Sequence, residues 1–279
     1  MEALILTRPR APEEEISRKQ ERFIPLTEKL LLAISRQPGN QNGCLSCKEE
    51  IIDSALELLR HAFKNFEREI AGKRILDFGC GYGQQTVAMA KSGAKYVVGL
   101  DINQKFLQRG RDLAAQHGLN GHVEFADKLD ERRRGSFDLV ISQNSMEHFV
   151  RPLEILEIMK AALNPAGKLL ITFGPPWFAP YGSHMQFMTR VPWINLLFDE
   201  TTVMKVRNHF RRDGAMRYKD VEGGLAKMSV AKFERLVSQC GMKIHYKKYE
   251  CIKGLDFLGG LPVLRELFIN HVNCALVAG

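Results

Sequence analysis

The run Ile75-Leu76-Asp77-Phe78-Gly79-Cys80-Gly81-Tyr82-Gly83 constrains this chain more than any other stretch. A short apolar strand carrying an acid gives way at once to three alternating glycines. A second apolar strand follows, Tyr96-Val97-Val98-Gly99-Leu100, closed by Asp101. Strand, glycine turn, helix and a second strand tipped by a carboxylate make a nucleotide-binding βαβ unit. The glycines let backbone approach a ligand with no Cβ in the way, and the following helix presents unpaired N–H groups. A carboxylate at the second strand's tip can accept both hydroxyls of a ribose.

The glycine spacing then separates two chemistries. A dinucleotide fingerprint has its third glycine three residues after the second. Here the pattern is Gly79-x-Gly81-x-Gly83, with Asp77 two residues ahead. This combination of acid, G-x-G-x-G and strand-closing acid resembles the class I S-adenosylmethionine (SAM)-dependent methyltransferases. The resemblance covers residues 70–175 and, less closely, the final strands. It implies SAM as cofactor and S-adenosylhomocysteine (SAH) as product. Gly79, Gly81 and Gly83 are then expected beside the methionine moiety, with Asp77 orienting the turn or meeting the ammonium. Asp101 is expected on the ribose diol and Ile102 beside the adenine. Asp127, at the end of Phe125-Ala126-Asp127, matches the family's acceptor for the adenine amine, or is a plain loop carboxylate.

The fourth strand, Phe137-Asp138-Leu139-Val140-Ile141-Ser142, runs into Gln143-Asn144-Ser145-Met146-Glu147-His148. That resembles the Glu-His after the fourth strand of small-molecule and quinone-type methyltransferases. It implies Ser142 and Gln143 near the methionine part of SAM, with His148 facing the transfer site or bracing its loop.

Regular alternation from Lys73 predicts strands at 74–78, 96–101, 122–126, 137–142 and 167–173, and helices at 84–92, 103–117 and 151–163. Ser229 is positioned to N-cap a helix through Cys240, followed by β-rich runs at 242–250 and 270–277. The alternation implies an α/β, Rossmann-like doubly wound sheet. The family resemblance adds that the sheet has seven strands, the last antiparallel. Upstream, apolar positions from Ile51 to Phe66 recur at helical spacing and predict one amphipathic helix over 48–69, with a shorter helical stretch at Leu26–Ser35.

Residues 174–228 are too long for a connection and too rich in aromatics and methionine for a linker. An insertion past the fifth strand lies over the ligand-binding edge of such a sheet. It is read as a cap forming an acceptor pocket, the alternative being an accessory packing unit or dimer surface. The expected organisation is an N-terminal extension (1–47), the SAM-binding core (48–173), the cap (174–228), and a C-terminal helix and strands completing the sheet (229–279). The cap opens with a Pro-Pro turn leading to Tyr181 and His184, the candidates for acceptor binding or proton removal, or else structural groups of the turn. A histidine of near-neutral pKa suits proton removal.

The net charge of +8 is concentrated at the C-terminal end, where residues 174–279 hold 15 Lys/Arg against 9 Asp/Glu. Lys205, Arg207, Arg211, Arg212, Arg217 and Lys219 cluster there. They form a solvated face or a grip for a phosphate- or carboxylate-bearing acceptor. The expected acceptor is a small molecule, acidic or lipid-like, methylated on O, N or C. RNA or protein held by the basic third is the alternative, and an NAD(P)-dependent oxidoreductase on a similar sheet is another. Pro175-Pro176-Trp177 sits after the fifth strand, whereas amino-directed nucleic-acid methyltransferases carry such a motif after the fourth; no DNA partner is expected. No apolar run reaches the length of a membrane span, no signal-peptide order opens the chain, and the cytoplasm is the expected compartment. Cys44-x-x-Cys47 lacks a second pair at zinc spacing, so free thiols and no metal site are expected.

Overall fold

The computed structural model describes residues 25–35, 52–221, 223–252, 255–261 and 264–279. The expectation on Cys44 and Cys47 lies outside them. A helix α1 (Leu26–Ala33) is followed by α2 (Glu57–Ala62) and α3 (Phe66–Ile70). The alternating part begins with β1 (Arg74–Phe78), α4 (Gln84–Lys91), β2 (Tyr96–Leu100), α5 (Gln104–Gln116) and β3 (Val123–Ala126). It continues through β4 (Phe137–Gln143), α6 (Pro152–Ala162) and β5 (Leu163–Phe173). After α7 (Ile194–Leu197) and α8 (Glu200–Phe210) come α9 (Val230–Gln239), β6 (Met242–Cys251), α10 (Arg265–Phe268) and β7 (Ile269–Ala278).

The seven strands form one sheet in the order β3-β2-β1-β4-β5-β7-β6. β7 runs antiparallel to both its neighbours, as expected of the last strand. Strand order reverses between β1 and β4, and the crevice at that switch point, outside the strands' C-terminal ends, is where such sheets bind ligands. Both faces are covered. Leu76, Val140, Leu169 and Ile171 pack with Met159 of α6 and Phe233 of α9, while Ile75, Leu139 and Ile141 pack with Leu59, Phe66 and Met89. Burial on both sides is why these strands read as continuous apolar runs. Among the described residues no helix is long and apolar enough to cross a membrane.

Two elements differ from expectation. The single helix over 48–69 is instead a 3-10 turn at Ile52–Ser54 followed by α2 and α3. Phe63 is extended and Asn65 is left-handed at φ 61°, a conformation Asn tolerates. Leu59, Ala62, Phe63, Phe66 and Ile70 are all buried, so the apolar spacing reports the core contact while the backbone breaks. The fifth strand begins at Leu163 rather than 167. Leu163 pairs with Phe137 and Lys168 with Leu139, so Asn164–Gly167 bulge outward opposite Asp138. Asn164 holds the bulge by donating to Asp138 (2.9 Å) and accepting from Ala166 N (3.1 Å).

Residues 174–228 build a small core of their own, with Met185, Met188, Val203, Met204 and Tyr218 buried together. Leu31 of α1 is fully buried in that core, and Thr189 Oγ1 donates to Ile34 O at 3.2 Å. The upstream helix therefore packs as part of the insertion. Asp199 caps α8 through Thr202 N (2.9 Å), and Ser229 caps α9 through Lys232 N (3.2 Å), the cap expected from its position.

Candidate active site

The turn after β1 is shaped by close contacts on two of its glycines and by open space at the third. All three have positive φ, 84°, 52° and 80° for Gly79, Gly81 and Gly83. A Cβ on Gly79 would come within 2.5 Å of Ser145 Oγ, in the loop after β4. One on Gly83 would meet the Phe125 ring at 2.6 Å and Gly110 Cα at 2.9 Å. One on Gly81 would meet nothing within 4 Å. Gly83 thus serves packing of the turn against β3 and α5, and Gly81 leaves the cradle a ligand can fill.

Asp77 is 1% exposed and accepts from Gln85 Nε2 (2.8 Å) and Thr86 Oγ1 (2.6 Å) in the first turn of α4. Burial, with a smaller contribution from the Asp101 charge, raises its pKa to about 6 against the lowering effect of those two bonds. In this geometry Asp77 orients the turn. Asp101 braces the same turn from the other side, taking Gly81 N at 3.0 Å on one oxygen and Asn103 N at 2.9 Å on the other. Each oxygen keeps a lone pair for a ribose hydroxyl. Ile102, beside it, is 91% exposed, an apolar side chain at the place a flat adenine needs one. Asp127, also exposed, accepts from Gln104 Nε2 at 2.8 Å. Ser142 Oγ and Gln143 Oε1 are buried with no hydrogen-bond partner. Unpaired buried polar atoms are costly unless a ligand completes them. The cradle, the free lone pairs and the unpaired oxygens fit SAM.

The cap meets this half through the loop after β4. Glu147 O accepts from Ala226 N at 2.7 Å, and Glu147 Oε1 from Gly174 N at 3.4 Å. His148 Nδ1 lies 2.7 Å from Gly224 O. Its ring stands edge-on to that of His184, centroids 5.6 Å apart. Both histidines line a cavity of about 160 Å³, walled apart from His148 by residues of the cap. Burial, and secondarily the nearness of His148, push the pKa of His184 down to about 4, and its Nε2 is buried without a partner. Burial also pushes the Glu147 carboxyl up, and Glu147 Oε2 is unpartnered.

Of the three residues expected to act on the acceptor, His148 and His184 are brought together and Tyr181 is not. The Tyr181 hydroxyl donates to Arg190 O at 3.1 Å, and the residue is absent from the cavity wall. Phe187, which the sequence did not single out as a site residue, also lines the cavity. The basic cluster also splits. Arg207 and Arg211 reach the cavity, a shared face that their i, i+4 spacing signalled. Lys205 instead lies 3.9 Å from Glu28.

Residues 70–175 match the family model described as a methyltransferase domain, which ends where the cap begins. The ubiquinone biosynthesis O-methyltransferase of Nitrosococcus oceani is 31% identical over 135 residues, 48% of this chain and 55% of that protein. The ribosomal protein L11 methyltransferase of Neisseria meningitidis serogroup B is 34% identical over 103 residues, 37% of this chain and 32% of that protein. The chain therefore spans about a third to a half of these relatives' lengths, and their names point to acceptors of different kinds. In structure, an S-adenosylmethionine-dependent methyltransferase from Mesorhizobium loti superposes with a TM-score of 0.54 at 20% identity, over 81% of this chain and 99% of that one. It shares the fold.

Proposed function

Residues 70–175 form a class I SAM-dependent methyltransferase domain, and from that premise we propose that the chain methylates a small-molecule acceptor held between this domain and the cap. The observation that carries the reading is the cavity shared by His148 and His184. Its volume, about 160 Å³, is close to the roughly 150 Å³ that holds a benzene molecule. A single-ring body fits such a space.

Bound SAM supplies a methyl group already activated on a sulfonium, so the protein's part is chiefly alignment. In this reading Asp101 holds the ribose, Ile102 covers the adenine and the open side of Gly81 admits the methionine portion. Ser142 and Gln143 direct their unpaired oxygens toward it. His184, with a pKa of about 4, is neutral at pH 7 and a weak base. Moving a proton to it from a phenol-like hydroxyl of pKa about 10 spans roughly 6 units, or about 8 kcal/mol, before any bond forms. His184 Nε2 therefore accepts a hydrogen bond that aims the nucleophile, and it would take that proton as the new bond to the methyl forms, SAH being what remains of the cofactor. His148 holds the cap through Gly224 O and packs the His184 ring in place.

Pairing of Arg207 with Asp213 and of Lys227 with Glu200 weakens the case for a broad basic surface gripping RNA or protein. Calorimetric titration with SAH, with NAD and NADP in parallel, tests the cofactor. One-site binding of SAH alone is expected, reduced at least tenfold in Asp101→Ala. Binding of a dinucleotide in its place would overturn the reading, and unchanged SAH affinity in the variant would remove Asp101 from the ribose.

A further inference from the structure

Among the described residues, two arginines and no carboxylate stand in the wall of the cavity. Arg207 is 2% exposed, and both its terminal nitrogens bond Asp213, at 2.6 and 2.5 Å. Its charge is answered within the protein, and it holds the Asp213 carboxyl down at about 2. Arg211, one helical turn later, has no carboxylate partner among the described residues. Its guanidinium lies 4.3 Å from the centroid of the Phe187 ring. Such stacking fixes the guanidinium plane without consuming its N–H donors. Arg211 is exposed while His184 Nε2 is buried, so the cavity runs from a cationic mouth to a neutral, polar inner end. Met185, Val221 and Leu225 make the walls between them apolar.

Resting on the reading of this cavity as the acceptor's place, we propose that the acceptor is a carboxylate with a compact apolar body, its carboxylate paired with Arg211 and its nucleophilic atom directed to His184. A planar guanidinium matches a carboxylate with two parallel N–H···O bonds. The charge count selects carboxylate over phosphate. One uncompensated cation answers one negative charge, whereas a phosphate monoester near neutral pH carries close to two. The volume selects a body of about one ring, since little more than a benzene's space is present.

The full chain, with and without saturating SAH, is titrated with benzoate, benzamide and phenyl phosphate by ligand-observed NMR, alongside Arg211→Gln. Benzoate is expected to bind at least tenfold more tightly than benzamide, and Arg211→Gln to abolish that preference with SAH affinity unchanged. Benzamide controls for the lost stacking on Phe187, because a damaged wall weakens both ligands alike. Absence of benzoate binding, equal binding of benzoate and benzamide, or a preference that survives in Arg211→Gln overturns the proposal. Phenyl phosphate bound more tightly than benzoate overturns the carboxylate in favour of a phosphate. Failure of SAH to bind while the Arg211-dependent preference persists supports the carboxylate site and sinks the methyl-transfer reading alone.

Discussion

Asp77→Asn should stabilise the protein while weakening its hold on the cofactor. Asp77 is buried, with a folded-state pKa of about 6 against 3.8 for an ordinary aspartate, and burial is the largest cause. Between those values the folded chain binds the proton more readily than the unfolded one. Above about pH 6 the buried charge therefore costs stability, and the cost is relieved as pH falls from 6 toward 3.8. The difference of roughly 2.2 units corresponds to about 3 kcal/mol. An asparagine removes the charge and can still accept from Thr86 Oγ1, while Gln85 reverses its amide to accept from the new NH2. Part of the 3 kcal/mol is lost in that rearrangement, so the expected gain is about 1–3 kcal/mol at pH 8, falling toward zero near pH 4. Urea unfolding of both proteins at pH 8, 6 and 4 reads the gain as a midpoint shift on the order of 0.3–1 M. SAH titration at pH 8 should show a weaker complex, because the turn that Asp77 orients through Gln85 and Thr86 is reset. A variant less stable than wild type at pH 8, or a stability gap independent of pH, would refute this account of Asp77.

Gly81→Ala and Gly83→Ala separate the ligand cradle from the packing seat. With Phe125 at 2.6 Å and Gly110 Cα at 2.9 Å from its Cβ, Gly83→Ala should cost more than about 3 kcal/mol in thermal or urea unfolding. Gly81→Ala meets only the strain of positive φ, about 1 kcal/mol, yet should lower SAH affinity tenfold or more; similar melting of the two variants would count against the distinction. His184→Asn preserves the left-handed backbone at φ 59° and should cut kcat about 10- to 100-fold with SAH affinity within twofold. At saturating SAM, wild-type turnover should stay level down to pH 5 and fall as His184 protonates near pH 4; an acid limb near pH 6.5 would show the histidine is not buried as described.

What could be read in the sequence was local. The glycine turn, the strand-closing Asp101 and the Ser229 cap each depend on chemistry within a few residues, and each stands where the pattern put it. The break between α2 and α3 is different. Extended Phe63 and left-handed Asn65 leave the apolar spacing undisturbed, so periodicity registers the buried face and is silent about the turn. The membership of α1 in the insertion depends on Leu31 meeting residues more than 150 positions away, and no short-range signal carries that contact. The contact of Tyr181 likewise carries no short-range signal. An aromatic in a Pro-rich turn reads as exposed and available until the fold brings the Arg190 carbonyl to its hydroxyl.

His148 makes two contacts through one imidazole. Nδ1 faces Gly224 O in the cap, and the ring edge meets His184 in the cavity. Glu147, one residue earlier, gives its backbone oxygen to Ala226 and a side-chain oxygen to Gly174. Two residues before that, Ser145 lies so close to the cofactor turn that Gly79 has no room for a Cβ. One short loop after β4 thus touches the glycine turn at one end and holds the cap at the other.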